Sequence, residues 1–167
     1  MKIRRSAAAL VAAVVCITGA CTTGPPAPSG PDCSAPAAAG VNWSGCDKSF
    51  AQLVGVDLSG ADLSGIDLWR ADLTGAHLSG ADLSGALASY SFFSGADLSG
   101  ADLSGSELYF ADLDEADIHG TALDGAGMNF ALLLGAAGVP TGDPHYYETT
   151  CPDGTVVSDP DVCVFTD

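Results

Sequence analysis

The sequence has 167 residues, 47% of them hydrophobic and 16% charged, and its formal net charge is −16. Such an acidic surface repels nucleic acid and anionic membranes, so the composition excludes a protein that binds either through a basic face. Three of the five basic residues, Lys2, Arg4 and Arg5, stand at the N-terminus, so a chain that starts at Cys21 carries two basic and 21 acidic residues, a net charge of −19.

Residues 1–20 have the layout of an export signal. The three basic residues precede an apolar run from Ala7 to Val15, which is too short to span a membrane, and small residues then lead to Cys21. The stretch from Thr18 to Cys21 resembles a bacterial lipobox, although Thr18 stands where Leu is usual. We therefore predict acylation of Cys21 and a lipid anchor as the only membrane contact; an ordinary cleaved signal peptide and secretion are the alternative.

Two segments precede the regular part of the sequence. Residues 21–32 are rich in Pro, Gly, Ser and Thr, a composition that predicts a flexible tether. Residues 33–50 are more apolar and predict an N-terminal cap, in which Trp43 and Phe50 cover the first coil.

Residues 51–135 repeat a five-residue phrase, most often Ala-Asp-Leu-Ser-Gly, in unbroken frame, which makes seventeen copies. The third position is apolar in every copy and the first is Ala in most, so each copy contributes one large and one small core residue. A period of five fits neither a helix nor a strand and indicates a coil in which each copy forms one side.

The fifth position gives the number of sides. It is usually Gly, which allows a tight turn, but Arg70, Tyr90, Phe110 and Phe130 depart from Gly, and they fall in every fourth copy. Four copies therefore make one coil, and the repeats predict about four coils stacked as parallel strands roughly 4.8 Å apart.

The repeated phrase resembles the motif A(D/N)LxX of the pentapeptide-repeat family. The resemblance implies an all-β fold: a right-handed, four-sided parallel β-helix with the first and third positions inside. The family shares no catalytic residues. Some members resemble duplex DNA and bind DNA gyrase in the cytoplasm, and the export signal separates the present chain from that target.

Four cysteines flank the repeats as two local pairs. Cys33 and Cys46 stand close together before the repeats, and Cys151 and Cys163 stand close together after them. In an exported chain we expect two disulfides that staple the terminal caps, each worth about 3 kcal/mol by the chain-entropy model. Zinc binding is the alternative, but these spacings do not match a finger or a ribbon.

The five-residue repeat is no longer recognisable in residues 136–167, and we predict that this segment forms a C-terminal cap. The stretch Cys151-Pro-Asp-Gly indicates a tight turn, and Val156 and Val157 after it indicate a short strand.

The second position is mostly Asp, and coil stacking arranges these residues in columns. One predicted column contains Asp62, Asp82 and Asp102, and the next contains Asp57, His77, Asp97 and Asp117. Solvated carboxylates are the simplest interpretation; weak divalent-cation binding and mimicry of DNA are the alternatives.

No pattern in the sequence predicts catalysis. His77, His119 and His145 are the only histidines, and no Cys-His pair, nucleophile elbow or phosphate-binding loop accompanies them. We expect a non-enzymatic protein without a cofactor or a metal.

One side of the predicted coil differs from the other three, because aromatic residues gather there. The candidate interaction stripe consists of Trp69, Arg70, Tyr90, Tyr109, Phe110 and Phe130. Exposed aromatic residues with an Arg are typical of binding hot spots, so the stripe predicts a surface for an unknown protein or for self-association. In the alternative, a C-terminal tail with Tyr146, Tyr147 and Phe165 covers the lower rings.

Taken together, these features predict an exported, lipid-anchored interaction module. The alternative is a purely structural envelope protein.

Overall fold

The structure is a computed structural model that describes residues 30–157, Cys163 and Phe165, together with the backbone of Cys16–Ile17 and Ala20–Cys21. The chain divides into two units, Met1–Gly30 and Pro31–Asp167. In the first unit, strand β1 (Cys16–Ile17) pairs antiparallel with strand β2 (Ala20–Cys21). The rest of the predicted signal, most of the tether and the side chain of Cys21 lie outside the described residues. No helix in the described part is long and apolar enough to cross a membrane.

The second unit is a parallel coil with four sides. From the pair Asn42–Asp62 to the pair Asp117–Ala137, second-position residues form parallel bridges with the residues four copies later. The predicted four-copy coil and the two acidic columns are therefore confirmed, since Asp62 bridges Asp82 and His77 bridges Asp97. The right hand of the coil remains a prediction from the family resemblance.

The coil is longer than the predicted range of 51–135. Asn42 and Asp47 already bridge the next coil, so the segment predicted as an N-terminal cap supplies coil sides. At the other end, three further pairs continue the columns, and the members of each are closer in sequence than four full copies: Ala122–Thr141, Gly127–His145 and Leu132–Thr150. Shortened sides after Gly135 break the five-residue frame without ending the ladder, so three columns contain six residues instead of about four.

Each copy uses its backbone donors in a fixed way. In the copy at 61–65, the amide of Ala61 donates to the carbonyl of Leu58 and closes the corner turn, while Asp62 donates to the coil before it and Leu63 and Gly65 donate to the coil after it. The fourth-position amide has no partner in this ladder. The preceding Asp side chain supplies one: Ser64 donates to Asp62 Oδ1 at 3.3 Å through its amide and at 2.8 Å through its hydroxyl.

The repeated Asp is thus explained by turn chemistry, as an acceptor for the amide two residues later. Asn42 accepts the amide of Ser44 in the same way, at 3.0 Å. A side-chain oxygen at the second position therefore supports the turn, and the neutral oxygen of Asn42 does so without a negative charge.

The core lies inside the coil. Third-position residues such as Leu83 and Leu98 are fully buried, and the first-position alanines beside them are equally inaccessible. The sequence-predicted core phase is therefore confirmed. Ser84 and Ser99, at the fourth position, are partly exposed and donate to the second-position carboxylates.

Two buried serines in the first position differ in their hydrogen bonding. Ser91 Oγ donates to the carbonyl of Ala88 at 2.5 Å, whereas Ser106 Oγ is the one buried side-chain polar atom of the described residues without a partner. A buried hydroxyl without a hydrogen bond costs about 1–3 kcal/mol. We expect Ser106→Ala to raise the free energy of unfolding by about 1 kcal/mol and Ser91→Ala to lower it by about 1 kcal/mol. Urea denaturation of both variants measures the difference; stabilisation by both substitutions, or by neither, would contradict this assignment.

At the N-terminal end, Trp43 is in the core and Phe50 is not. Trp43 is buried and donates through Nε1 to the carbonyl of Ala35 at 3.2 Å. The expectation that Phe50 covers the first coil is wrong, because Phe50 occupies a fifth position, where side chains point outward, and is 55% exposed. The disulfide Cys33–Cys46, with 5.5 Å between Cα atoms, joins the incoming chain to the first coil.

At the C-terminal end, strand β3 (Thr149–Thr150) pairs antiparallel with strand β4 (Val156–Val157). The predicted turn and strand after Cys151 are both present: the amide of Gly154 donates to the carbonyl of Cys151 at 2.9 Å, and the disulfide Cys151–Cys163 lies beside the hairpin. Thr149 belongs to both the hairpin and the coil end, since its buried hydroxyl donates to the carbonyl of Met128 at 2.6 Å.

Candidate functional site

The fifth-position residues of one side form a column that we call the aromatic corner. Its members, in order along the coil, are Phe50, Arg70, Tyr90, Phe110 and Phe130. The corner lies between two second-position columns, one containing Asp67 and Leu87 and the other containing Asp72 and Phe92. Four of the six residues of the predicted stripe therefore lie in this column, and they are joined there by Phe50, which the prediction assigned to the cap.

The rings of the corner stack on one another. Tyr90 and Phe110 have centroids 4.9 Å apart with planes inclined by 7°, and Phe110 and Phe130 are 4.6 Å apart and inclined by 3°. Phe50 meets Trp69, a fourth-position member of the predicted stripe, edge to face at 4.9 Å. The guanidinium of Arg70 lies between the Phe50–Trp69 pair and the Tyr90 stack. Its Cζ is 4.7 Å from the Trp69 ring centroid and 5.7 Å from the Tyr90 ring centroid.

The backbone at the corner is strained. Phe50, Arg70, Tyr90, Phe110 and Phe130 have φ between 55° and 61°, the left-handed region that the other corners fill almost entirely with Gly. For a bulky residue this conformation costs about 1–2 kcal/mol, and an aromatic stack returns about 0.5–1.5 kcal/mol. The free energy gained by stacking is therefore about equal to the free energy lost to backbone strain, so the rings do not increase the stability of the coil.

Tyr109 completes the surface by a different contact. A Cβ placed on Gly127, which stands one coil later, would lie 2.7 Å from a carbon of the Tyr109 ring. The ring thus rests on bare backbone, and this contact explains why Gly replaces the usual Asp at that second position. Tyr109 is 37% exposed beside its neighbour Phe110.

Sequence reasoning missed the apolar residues that border the corner. Between residues 42 and 137, the second position is large and apolar only at Leu87, Phe92 and Leu132, and all three lie on the two columns beside the aromatic corner. They are exposed, with Phe92 at 47%, and cannot accept the fourth-position amide as Asp does. The four-copy interval, applied to the second position as well as the fifth, would have shown this arrangement.

The predicted alternative is a C-terminal tail that covers the lower rings. Among the residues that the structure describes, the tail contacts only the last ring of the corner, Phe130. Tyr147 contacts Phe130 edge to face at 5.4 Å. Tyr146 turns inward instead; burial and the nearby Asp143 raise the pKa of its phenol to about 12. Phe165 packs partly against the core. Tyr90 and Phe110 remain 42% and 45% exposed, so most of the corner is uncovered in the described chain.

Carboxylates surround the corner. Asp47, Asp67 and Glu107 stand on one bordering column, and Asp72 and Asp112 stand on the other. Hydrogen bonds from the side chain and amide of Ser49 lower the pKa of Asp47, and the same pair of bonds from Ser104 lowers the pKa of Asp102 on a remote side. Asp114 differs, because burial raises the pKa of its carboxyl.

The histidines do not form a site together. His77 lies on the column with Asp57 and Asp97, and His145 ends a different column. Nδ1 of His119 lies 2.6 Å from Asp117 Oδ1, an exposed pair that includes no third group. Within the described residues, no group of three or more His, Cys, Asp or Glu side chains is arranged to hold a metal ion.

Comparison with known proteins identifies the family. A family model described as "Pentapeptide repeats" matches eight copies over residues 51–87 and 93–129. A pentapeptide repeat protein of the cyanobacterium Nostoc is 36% identical in sequence; the match covers 53% of the present chain and 69% of that one, with a TM-score of 0.35. The chain belongs to the pentapeptide repeat family.

Other solved pentapeptide repeat proteins are similar to this one over part of their length. A protein from the cyanobacterium Cyanothece is 29% identical with a TM-score of 0.45, and the match covers 60% of the present chain and 63% of the other. HetL of Nostoc, which is involved in the regulation of heterocyst differentiation, is 25% identical with a TM-score of 0.32, and the match covers 71% of both chains. No curated protein sequence gives a significant match.

Proposed function

We propose that this pentapeptide repeat protein is a non-enzymatic, exported lipoprotein that binds a protein partner through its aromatic corner. Acylation of Cys21 anchors it, residues 21–32 tether it, and the coil serves as a rigid support. Disulfides persist in oxidising compartments outside the cytoplasm, so the pairs Cys33–Cys46 and Cys151–Cys163, placed at the two ends of the coil, support export.

The strained corner is the observation that carries the proposal. Aromatic residues occupy left-handed backbone positions that Gly would fill at lower cost, and they do so in one corner of four. Strain of this kind is kept where the side chains have a use. Stacking alone returns about as much free energy as the strain costs, and the ring edges stay exposed.

A second feature points to the same surface. Three second positions beside the corner have no side-chain acceptor for the fourth-position amide, namely Leu87, Phe92 and Leu132. Each of these residues instead adds exposed apolar area beside the rings. The rings, with Arg70 among them and these three residues on the bordering columns, concentrate exposed apolar area on one side of the coil, which is typical of a binding site.

The test replaces Tyr90 and Phe110 with Gly. Gly fits the positive φ without strain, so the double variant should stay folded while losing both rings. Captured on beads with extracts of the native cell envelope, the wild-type chain should retain a saturable partner that the variant loses.

The matched control is Glu115→Gly, the same kind of substitution at another corner, where φ is 60° and no ring is present. This variant should retain the partner. Equal retention by all three proteins would place the binding surface elsewhere, and the absence of any saturable partner would favour a purely structural envelope protein.

A further inference from the structure

The chemistry around the aromatic corner identifies the class of partner, and this step rests on the proposed function. The corner combines a column of exposed rings with carboxylates on both of its borders, and Arg70 is the one opposing charge within the column. We infer that the corner binds a basic polypeptide segment, one whose Lys or Arg residues flank apolar side chains.

Ring geometry favours a polypeptide over a sugar or a nucleobase. A flat ligand needs an exposed ring face on which to stack. Along the corner the faces of Tyr90, Phe110 and Phe130 cover one another, with centroids 4.6 to 4.9 Å apart. Apolar side chains can pack against the exposed edges of these rings. Phe92 forms one wall of a groove that is also lined by Phe50, Arg70, Tyr90 and Phe110.

The charges favour a basic segment. Five carboxylates, those of Asp47, Asp67, Asp72, Glu107 and Asp112, lie on the two bordering columns. Turn formation does not explain their charge, because the neutral side chain of Asn42 supplies the same acceptor oxygen. Five carboxylates beside a groove that holds a single cation, Arg70, attract a cationic partner and reject an acidic one.

A second copy of the chain is a poor occupant for the same reason. Two chains, each with two basic and 21 acidic residues after Cys21, would bring like-charged columns together. The only Lys and Arg after Cys21 are Lys48 and Arg70, and both are already engaged. Lys48 Nζ donates to the carbonyl of Cys33 at 2.8 Å and lies 4.0 Å from the Trp43 ring centroid, while Arg70 lies over Trp69 and Tyr90.

Selection from a random peptide library displayed on phage tests the inference without knowledge of the native partner. The bait is the exported chain carrying Cys21→Ser, which cannot be acylated, and counter-selection uses the same chain with Tyr90→Gly and Phe110→Gly. We expect the surviving peptides to carry a net positive charge next to apolar residues.

Two matched sets of substitutions then separate local from general attraction. The first set removes three charges beside the corner and consists of Asp67→Asn, Asp72→Asn and Asp112→Asn. Each Asn keeps the side-chain oxygen that accepts the fourth-position amide, which belongs to Trp69, Thr74 or Asp114. Asp62→Asn, Asp82→Asn and Asp102→Asn remove three charges from a column that does not border the corner.

At physiological salt, the first set should weaken a selected peptide about tenfold, and the second should change its affinity less than about twofold. Selected peptides that are neutral or acidic, or equal losses from both sets, would overturn the inference of a basic partner while leaving docking at the corner intact. If no peptide depends on Tyr90 and Phe110, both the inference and the proposed function fail.

Discussion

Replacing Leu83 or Leu98 with Ala should lower the free energy of unfolding by about 2–5 kcal/mol. Both side chains are fully buried in the middle of the coil, with a coil of the same kind on either side. Truncation leaves a cavity that the ladder cannot close, because the bridges to the coils before and after fix the backbone of each layer. Chemical denaturation measures the change.

Ser84→Ala and Ser99→Ala are the matched controls, one residue further along the chain. Each removes a partly exposed hydroxyl that donates to a carboxylate at 2.6 Å, while the backbone amide of the same residue keeps its own bond to that carboxylate. We expect changes within about 0.5 kcal/mol. Equal losses at the third and fourth positions would mean that the core phase is misassigned.

Substitution of Cys21 by Ser should move the protein from the membrane fraction to the soluble exported fraction. A Cys that becomes an acylated N-terminus holds a protein to the membrane through its lipid chains, and stable attachment requires more than one chain. Ser has no thiol to acylate, so the expected effect is an almost complete redistribution, which fractionation and immunoblotting in a bacterial host would measure.

The control for this experiment is Cys16→Ser, which changes a cysteine within the predicted signal and should leave the protein in the membrane fraction. Intact mass of the purified protein would show the lipid and the cleavage site directly. A Cys21→Ser protein that stays with the membrane would contradict lipid anchoring and indicate another attachment, whereas an unsubstituted protein that is already in the soluble exported fraction would indicate an ordinary cleaved signal peptide.

The regular part of the fold could be predicted because each five-residue copy satisfies the same local requirements. Large and small apolar residues fix the inside, Asp supplies the turn acceptor, and Gly supplies the positive φ. The recurrence of Arg70, Tyr90, Phe110 and Phe130 at the fifth position of every fourth copy predicts the number of sides, and the bridges confirm it.

The ends of the coil were harder to predict. The copy at 41–45 keeps Asn42 and Gly45 in phase, but Val41 and Trp43 hide its resemblance to the repeat. After Gly135 the bridged partners are closer together in sequence than four full copies, so a search for a fixed period does not detect this part of the ladder.

The candidate surface was predicted in part for a similar reason. A search for exceptions at the fifth position found Arg70 and the rings, whereas Leu87 and Phe92 are exceptions at the second position and become neighbours of the rings only when the four sides are assembled. The extent to which the tail covers the rings depends on packing at the coil end, which is not encoded in the repeat.

Site-specific photocrosslinking tests docking at the aromatic corner most directly. A photoreactive phenylalanine analogue replaces Phe92, at the border of the corner, or His77, an exposed second-position residue on a remote side. After irradiation of living cells, we expect a discrete protein adduct from position 92, none from position 77, and loss of the adduct when Tyr90 and Phe110 are changed to Gly. Equal adducts from both positions, or none from position 92, would contradict docking at the aromatic corner.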